Sequence, residues 1–388
     1  MKSRSLVGLV SGIVCMVFQG CFDMVETGDN EPVVSSRAYK GHESDADVTN
    51  FVNAYPAAAG SRLDDCVLCH TGGEVPGKRG LTKVNSCDYC HYIGQNDSPF
   101  TQTLNSYGAS YNDGGRSIDA LKAIGSEDSD DDGYTNIEEI TEFFFPGNEG
   151  SNPSKPACPI VTLTVDSLKK FPSHTQFMLS NTHKQQYDDY VTYTGIRISV
   201  LLEQLGVAVD EVEGVTVFAP DGYAKTFTRE QITREYPKSM YYTGLDDGGL
   251  GQNMGFVNYP ETMEHADLEN GDTIPDDQYL ILAYQRDFED IETAYIDTIE
   301  LRINGEGPLR SVRPQDPASM PDRGSKYPQE DEYDCNEDLD HNAGDNVRGV
   351  TIIRIDPMPT EYEEFDNQNA GWSFLEAGKI VVYGYGIQ

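Results

Sequence analysis

Cys66-Val67-Leu68-Cys69-His70 and Cys87-Asp88-Tyr89-Cys90-His91 repeat one pentad twice within a short stretch of the chain. In such a pentad the two thiols add across the vinyl groups of a haem, and the adjoining histidine is carried to the iron as its proximal ligand. With 8 Cys and 7 His among 388 residues, random order would supply only about 0.003 such pentads, so two copies specify chemistry. A paired Cys-x-x-Cys is otherwise a structural zinc signature, but histidine follows directly in both copies. Cys66, Cys69, His70, Cys87, Cys90 and His91 are therefore expected to bind two covalent haem c groups. Few large apolar residues surround the pentads, so this region is expected to be small, mostly helical and built around its porphyrins.

The flanking sequence agrees with that expectation. From Asp45 to Tyr55, Val48, Phe51 and Val52 share one helical face, and Ile118, Leu121 and Ile124 repeat the pattern between Ser117 and Ile124. Between the pentads and the next domain, Asp128-Ser129-Asp130-Asp131-Asp132-Gly133-Tyr134-Thr135-Asn136-Ile137-Glu138-Glu139 fits a twelve-residue calcium loop. Asp128, Asp130 and Asp132 would converge on the ion, Tyr134 would offer its carbonyl, Asn136 the ninth-position contact and Glu139 two oxygens. The alternative is an acidic loop capping a helix from Asn136 through Ile140 to Phe143, since carboxylates favour a helix amino end.

A six-coordinate carrier needs a distal ligand on each iron. His42, in Gly41-His42-Glu43 just before the first helix, is the leading candidate, with a plain surface role as the alternative. His174 and His183, near the next domain, are candidates for the other iron. His265 and His341 lie among acidic residues and are expected in solvent.

Lys2 and Arg4, an apolar run from Leu6 to Phe18, and Gln19-Gly20-Cys21 have the layout of an export signal, residues 1–20. Cys21 matches the lipidated cysteine of bacterial lipoproteins, with ordinary signal cleavage as the alternative. Residues 21–38 are polar and suit a flexible tether, and nothing later in the chain is apolar enough to span a bilayer. The expected location is the periplasm or the outer membrane and cell surface. Cys158 and Cys335 remain after this accounting, and in an oxidising compartment a disulfide between them is expected, against two buried thiols.

A formal charge of -37 excludes nucleic acid as a partner and favours a solvated surface, with a field that would steer a basic redox partner. Residues 39–150 are read as the diheme domain with its calcium loop and 151–388 as a second, mainly β domain. Its expected strands are Ile160–Val165, Val215–Phe218, Tyr279–Tyr284, Ile296–Ile303, Val350–Ile355 and Ile380–Tyr385, with a helix from Arg197 to Leu205. Pro314 to Asp345 lacks periodicity and is expected as a long surface excursion. The fold class is thus multidomain α+β: a small helical diheme cytochrome domain followed by a mainly β domain.

Within the second domain, Tyr193-Thr194-Gly195-Ile196 before Leu201-Leu202, Phe218-Ala219-Pro220-Asp221-Gly222-Tyr223, Leu282-Ala283-Tyr284 and Gly307-Pro308-Leu309-Arg310 resemble the molybdopterin-binding domain of the sulfite oxidase superfamily. That resemblance implies a threonine-glycine turn into a helix, a strand with an Asp-Gly-Tyr hairpin and a Pro-Leu-Arg turn. Enzymes of that superfamily hold molybdenum through a cysteine, yet no cysteine occurs between Cys158 and Cys335, so the domain is expected as a scaffold without the metal. The whole chain resembles the bacterial diheme proteins named for a Gly-Glu-Gly-Pro motif, here Gly305-Glu306-Gly307-Pro308, over pentads, calcium loop and β domain together. The motif itself reads as a tight turn, with Glu306 as a candidate ligand-facing carboxylate.

The expected function is relay of electrons to other redox proteins, cytochromes among them. The alternative is a haem-dependent oxidoreductase with an open haem position or a substrate site in the β domain. A third reading is surface sensing or assembly.

Overall fold

The computed structural model describes residues 26–27, 46–64, 66–70, 74–77, 80–83, 101, 103–185, 187–220, 222–246, 255–262, 265–297, 302–327, 332–365 and 370–388. Its elements mix helices and sheets, as an α+β chain requires. Glu26–Thr27 (β1) lies within the segment expected as a tether, yet it pairs antiparallel with Thr162 and Val161 at a sheet edge. Those two residues of the tether are therefore docked rather than loose.

Side-chain caps begin two of the helices of the first region. α1 (Ala46–Ala54) turns Phe51 into the core, with Val48 and Val52 half-buried on the same face. A hairpin of β2 (Glu74–Gly77) and β3 (Gly80–Lys83) follows. α2 (Ser106–Asp113) starts where the Asn105 side chain accepts from the Gly108 N–H at 2.8 Å, and α3 (Ile118–Ala123) where Ser117 accepts from the Ala120 N–H at 3.1 Å. α4 (Asn136–Thr141) follows the acidic loop. It ends short of the expected Phe143, whose φ of +64° is left-handed and cannot continue a helix. Phe51, Leu63, Leu68, Tyr107, Leu121, Ile124 and Ile140 form one buried cluster beneath these elements. Each such side chain contributes about 1.5–3 kcal/mol by leaving water.

The rest of the described chain is built on two six-stranded sheets. Its strands are β4 (Ile160–Thr164), β5 (His174–Ser180), β6 (Asp188–Arg197), β7 (Gly214–Phe218), β8 (Ala224–Thr228), β9 (Met240–Tyr241), β10 (Val257–Asn258) and β11 (Asp272–Thr273). They continue as β12 (Ile281–Arg286), β13 (Glu289–Asp290), β14 (Tyr295–Asp297), β15 (Arg302–Asn304), β16 (Arg310–Val312), β17 (Ile352–Asp356) and β18 (Lys379–Gly384). The first sheet runs β1-β4-β18-β17-β7-β8, with only β17 and β18 parallel. The second runs β10-β6-β12-β13, with β5 on β6 and β16 on β12. Short helices connect them: α5 (Val165–Leu168), α6 (Ile198–Gln204), α7 (Arg229–Thr233) and α8 (Trp372–Ala377).

Strand alternation explains where the core sits. Val215, Val217, Ile353, Ile355, Ile380 and Val382 from the first sheet meet Ile196, Leu282 and Tyr284 from the second in one buried cluster with Leu201 and Leu202 of α6. The intervening residues Ile352, Val381 and Tyr383 face outward onto Cys158, Ala370 and Phe374. β6 crosses β12 at Gly195, where a Cβ would lie 2.2 Å from the Leu282 carbonyl oxygen. Thr194-Gly195 thus belongs to a strand feeding α6, rather than to the expected turn.

The expected strands and the helix at 197–205 are present with shifted ends; Ile296–Ile303 is two strands of a hairpin, β14 and β15. β5, β6, β8 and β16 had no expectation, because their polar residues interrupt the alternation. Two further expectations are corrected. Pro314 to Asp345 is not a surface excursion: Gln315 and Asp322 are buried, and Arg313, also buried, binds Asp340 through two 2.7 Å hydrogen bonds. Cys158 is a thiol and not half of a disulfide with Cys335. It packs against Ile352, Val381 and Tyr383, whereas Cys335 groups with Asp322 and His341.

Candidate haem and cation sites

The first pentad is held by the element that follows it, far along the sequence. Cys66 opens a 3-10 turn, Cys66–Leu68, whose Val67 and Leu68 are buried in the cluster beneath α1 and α3. The Asn105 N–H donates to the Cys69 carbonyl at 2.9 Å and the Asn105 side chain to the Leu68 carbonyl at 2.9 Å. α2 then lies against Cys69 at Gly108, where a Cβ would stand 2.5 Å from the Cys69 oxygen and 2.9 Å from its Cβ. Only glycine permits that approach.

His70 leaves this turn with Nδ1 2.7 Å from Oγ1 of Thr103, a fully buried side chain. A hydrogen bond at Nδ1 sets the ring plane, as it does for histidines that ligate a metal through the other nitrogen. On α2, Tyr107 is fully buried and its hydroxyl has no hydrogen-bond partner among the described residues. Burial pushes its pKa far up, so the hydroxyl stays neutral. An imidazole oriented at Nδ1 beside a cysteine turn braced by α2 suits a metal-bearing group. Sequence reasoning missed Thr103, Tyr107 and Gly108; a glycine inside a helical pattern was their one local signal.

The second pentad, Cys87, Cys90 and His91, and also His42 and Cys21, lie outside the described residues. The other histidines have partners of their own. His174 Nε2 lies 2.9 Å from the Asp277 carbonyl, with its ring edge-on to Tyr279. His183 stacks on His341, with ring centroids 4.9 Å apart. Neither His265 nor His341 stands in solvent as expected. They are mostly buried and pair with Asp276 at 2.8 Å and Asp322 at 3.2 Å respectively.

The acidic loop converges as its spacing implies. One carboxylate oxygen from each of Asp128, Asp130 and Asp132 lies within 4.8 Å of the others. Gly133, with φ of +99°, makes the turn, and Asp128 accepts from the Asp132 and Gly133 N–H groups at 3.2 and 2.9 Å. The Tyr134 N–H donates to Asp132 Oδ1 at 2.9 Å. Glu139 is fully buried, and both its oxygens, both of Asp130 and one of Asp132 lack hydrogen-bond partners among the described residues. Burial, then the charges of Asp130, Asp132 and Asp128, push the Glu139 pKa up to about 9; burial and then Asp132 push Asp130 up to about 6. Carboxylates gathered this closely either hold protons or share a cation. Asn136 is corrected as a ligand: its side chain turns inward, donating to the Ile124 carbonyl at 2.7 Å and Ser129 Oγ at 2.9 Å, and accepting from the Ser129 N–H at 3.2 Å.

One buried ion pair joins this region to the β region. Arg62 pairs with Glu363 and donates to the Phe143 carbonyl at 2.6 Å and to Ser151 Oγ at 3.1 Å. Ser151 in turn donates to Glu363 at 2.7 Å. The side chains are 11% and 4% exposed, which makes the pair a structural lock between the two regions rather than a surface contact.

Gly305-Glu306-Gly307-Pro308 is a turn, with Gly305 at φ +94°. Glu306 does not face an open site: its carboxylate binds Arg286 at 2.5 Å and Arg310 at 2.8 Å. Burial works against its charge, but the two arginines outweigh it and hold the pKa below the usual range.

Comparison of the chain with family models, with curated proteins and with solved structures found no match.

Proposed function

We propose that this chain is an exported diheme c-type cytochrome that relays electrons to other redox proteins, other cytochromes among them, in the periplasm or at the cell surface. The repeated Cys-x-x-Cys-His pentad carries this reading, supported by the His70 imidazole held at Nδ1 by Thr103. Cys66 and Cys69, with Cys87 and Cys90, attach two haems, with His70 and His91 as proximal ligands and His42 as a distal one. Bound haem iron supplies one-electron chemistry by cycling between its ferric and ferrous forms. Thr103 fixes the His70 ring, and Gly108 lets α2 brace Cys69.

The proposal extends to Ca2+ held by Asp128, Asp130, Asp132, Glu139 and the Tyr134 carbonyl, which stiffens the helical region. The unpartnered Glu139 carboxylate supports it. Cys21 carries a lipid that anchors the chain at the outer membrane. The mainly β region is a sulfite oxidase-like scaffold that docks a partner, in keeping with the resemblance to the Gly-Glu-Gly-Pro diheme proteins.

The test is a haem assay per chain with electron paramagnetic resonance on the mature protein. Two low-spin haems are expected. One high-spin haem would replace the carrier by the oxidoreductase, and a chain without haem would overturn both.

A further inference from the structure

We propose that Asp322, Cys335 and His341 bind a single Zn2+ ion that cross-links the 314–345 segment within itself. One ligand atom from each of the three lies within 4.8 Å of the other two. A thiolate, an imidazole and a carboxylate are the donor set that suits this ion, and three protein donors leave a fourth tetrahedral position for water. Zinc bonds of about 2.0–2.3 Å place tetrahedral ligand atoms about 3.3–3.6 Å apart. His341 Nε2 and Asp322 Oδ2 already stand 3.2 Å apart, so the pair needs almost no movement to share an ion.

The surroundings are built for this arrangement. Asp322 is 2% exposed, and its Oδ1 accepts from Asn181 Nδ2 at 2.9 Å, which aims Oδ2 at His341. The Asn336 N–H donates to that same Oδ2 at 2.8 Å, fixing the chain beside Cys335. His183 stacks on the His341 ring and fixes its plane. The Asp322 N–H donates to Asp188, the first residue of β6, at 3.1 Å. Two buried carboxylates and a thiol thus gather at one place. On binding, the Cys335 thiol gives its proton to solvent and its sulfur lone pair to the ion.

The experiment uses the full-length haem-loaded protein, in which pentad cysteines are thioethers and offer no thiolate. After stripping with chelator and reloading with Zn2+, metal is counted by mass spectrometry and its shell read by X-ray absorption at the zinc edge. About one zinc per chain is expected, with one sulfur at about 2.3 Å and nitrogen or oxygen at about 2.0 Å. Cys335→Ser and His341→Ala should each lower zinc retention at least tenfold, while Cys158→Ser keeps it. If a variant fails to fold, alkylation of the unaltered protein decides: Zn2+ should slow iodoacetamide labelling of Cys335 at least tenfold and leave Cys158 unaffected. Absence of a sulfur shell, equal retention by Cys335→Ser, or labelling of Cys335 indifferent to Zn2+ would overturn the site. None of these readouts depends on haem spin state, so the site can fail while the electron-carrier reading stands.

Discussion

Nδ1 of His70 lies 2.7 Å from Oγ1 of Thr103, a residue 33 positions away that is wholly buried. In the proposed cytochrome this hydrogen bond would make the imidazole a better donor to ferric iron. Thr103→Val should therefore raise the potential of one haem by tens of millivolts, the size of about 1 kcal/mol of lost hydrogen bonding. Spectroelectrochemical titration checks this; two unchanged potentials would detach Thr103 from the haem.

Gly108→Ala places a methyl group 2.5 Å from the Cys69 carbonyl oxygen. Overpacking of this kind costs about 1–3 kcal/mol, and it falls on the turn that carries the thiols. Fewer haems per chain and a lower Tm are expected, read from pyridine haemochrome content and thermal denaturation. A variant with full haem content and an unchanged Tm would show that α2 yields easily.

Removing Arg62 leaves Glu363, a carboxylate 4% exposed, without its cation. Arg62→Met should cost about 3–5 kcal/mol. The double variant Arg62→Met with Glu363→Leu should recover most of the loss, since both charges then leave together. Urea midpoints of the three proteins test this, and additive losses would deny the coupling.

Glu139 and Asp130 give the calcium-free protein a pH dependence of definite sign. Their folded pKa values, about 9 and about 6, stand above the ordinary 4.5 and 3.8. Below the ordinary values both states are protonated and nothing is lost. As pH rises through the window up to about 9, the folded state must hold protons that the unfolded state has released, so its stability falls. With chelator present, Tm should drop by on the order of 5 °C between pH 5 and 8. Added Ca2+ should abolish the slope, and Glu139→Gln should flatten it in chelator. A calcium-free Tm that rises with pH would contradict the assignment.

Much of the candidate chemistry was legible because it is local. A pentad or a twelve-residue loop carries its donors on one contiguous stretch, so spacing alone brings Asp128, Asp130 and Asp132 together. The helix faces led by Phe51 and Leu121 and the apolar strands at 160–164, 352–356 and 379–384 were legible for the same reason. β5 and β6 were not, because buried Gln176, Thr192 and Asp188 read as solvent positions until their partners are known.

The amino-acid sequence by itself determined the repeated Cys-x-x-Cys-His pentad, the acidic loop and the change from helical to strand texture, since short-range spacing and period decide each. Tertiary structure alone decided that Thr103 meets His70, that Arg62 meets Glu363 across 301 positions, and that Cys335 stands with Asp322 and His341 rather than Cys158. The physical reason is that a buried polar group takes whichever partner the packed chain delivers, and that delivery depends on every sheet and turn between them.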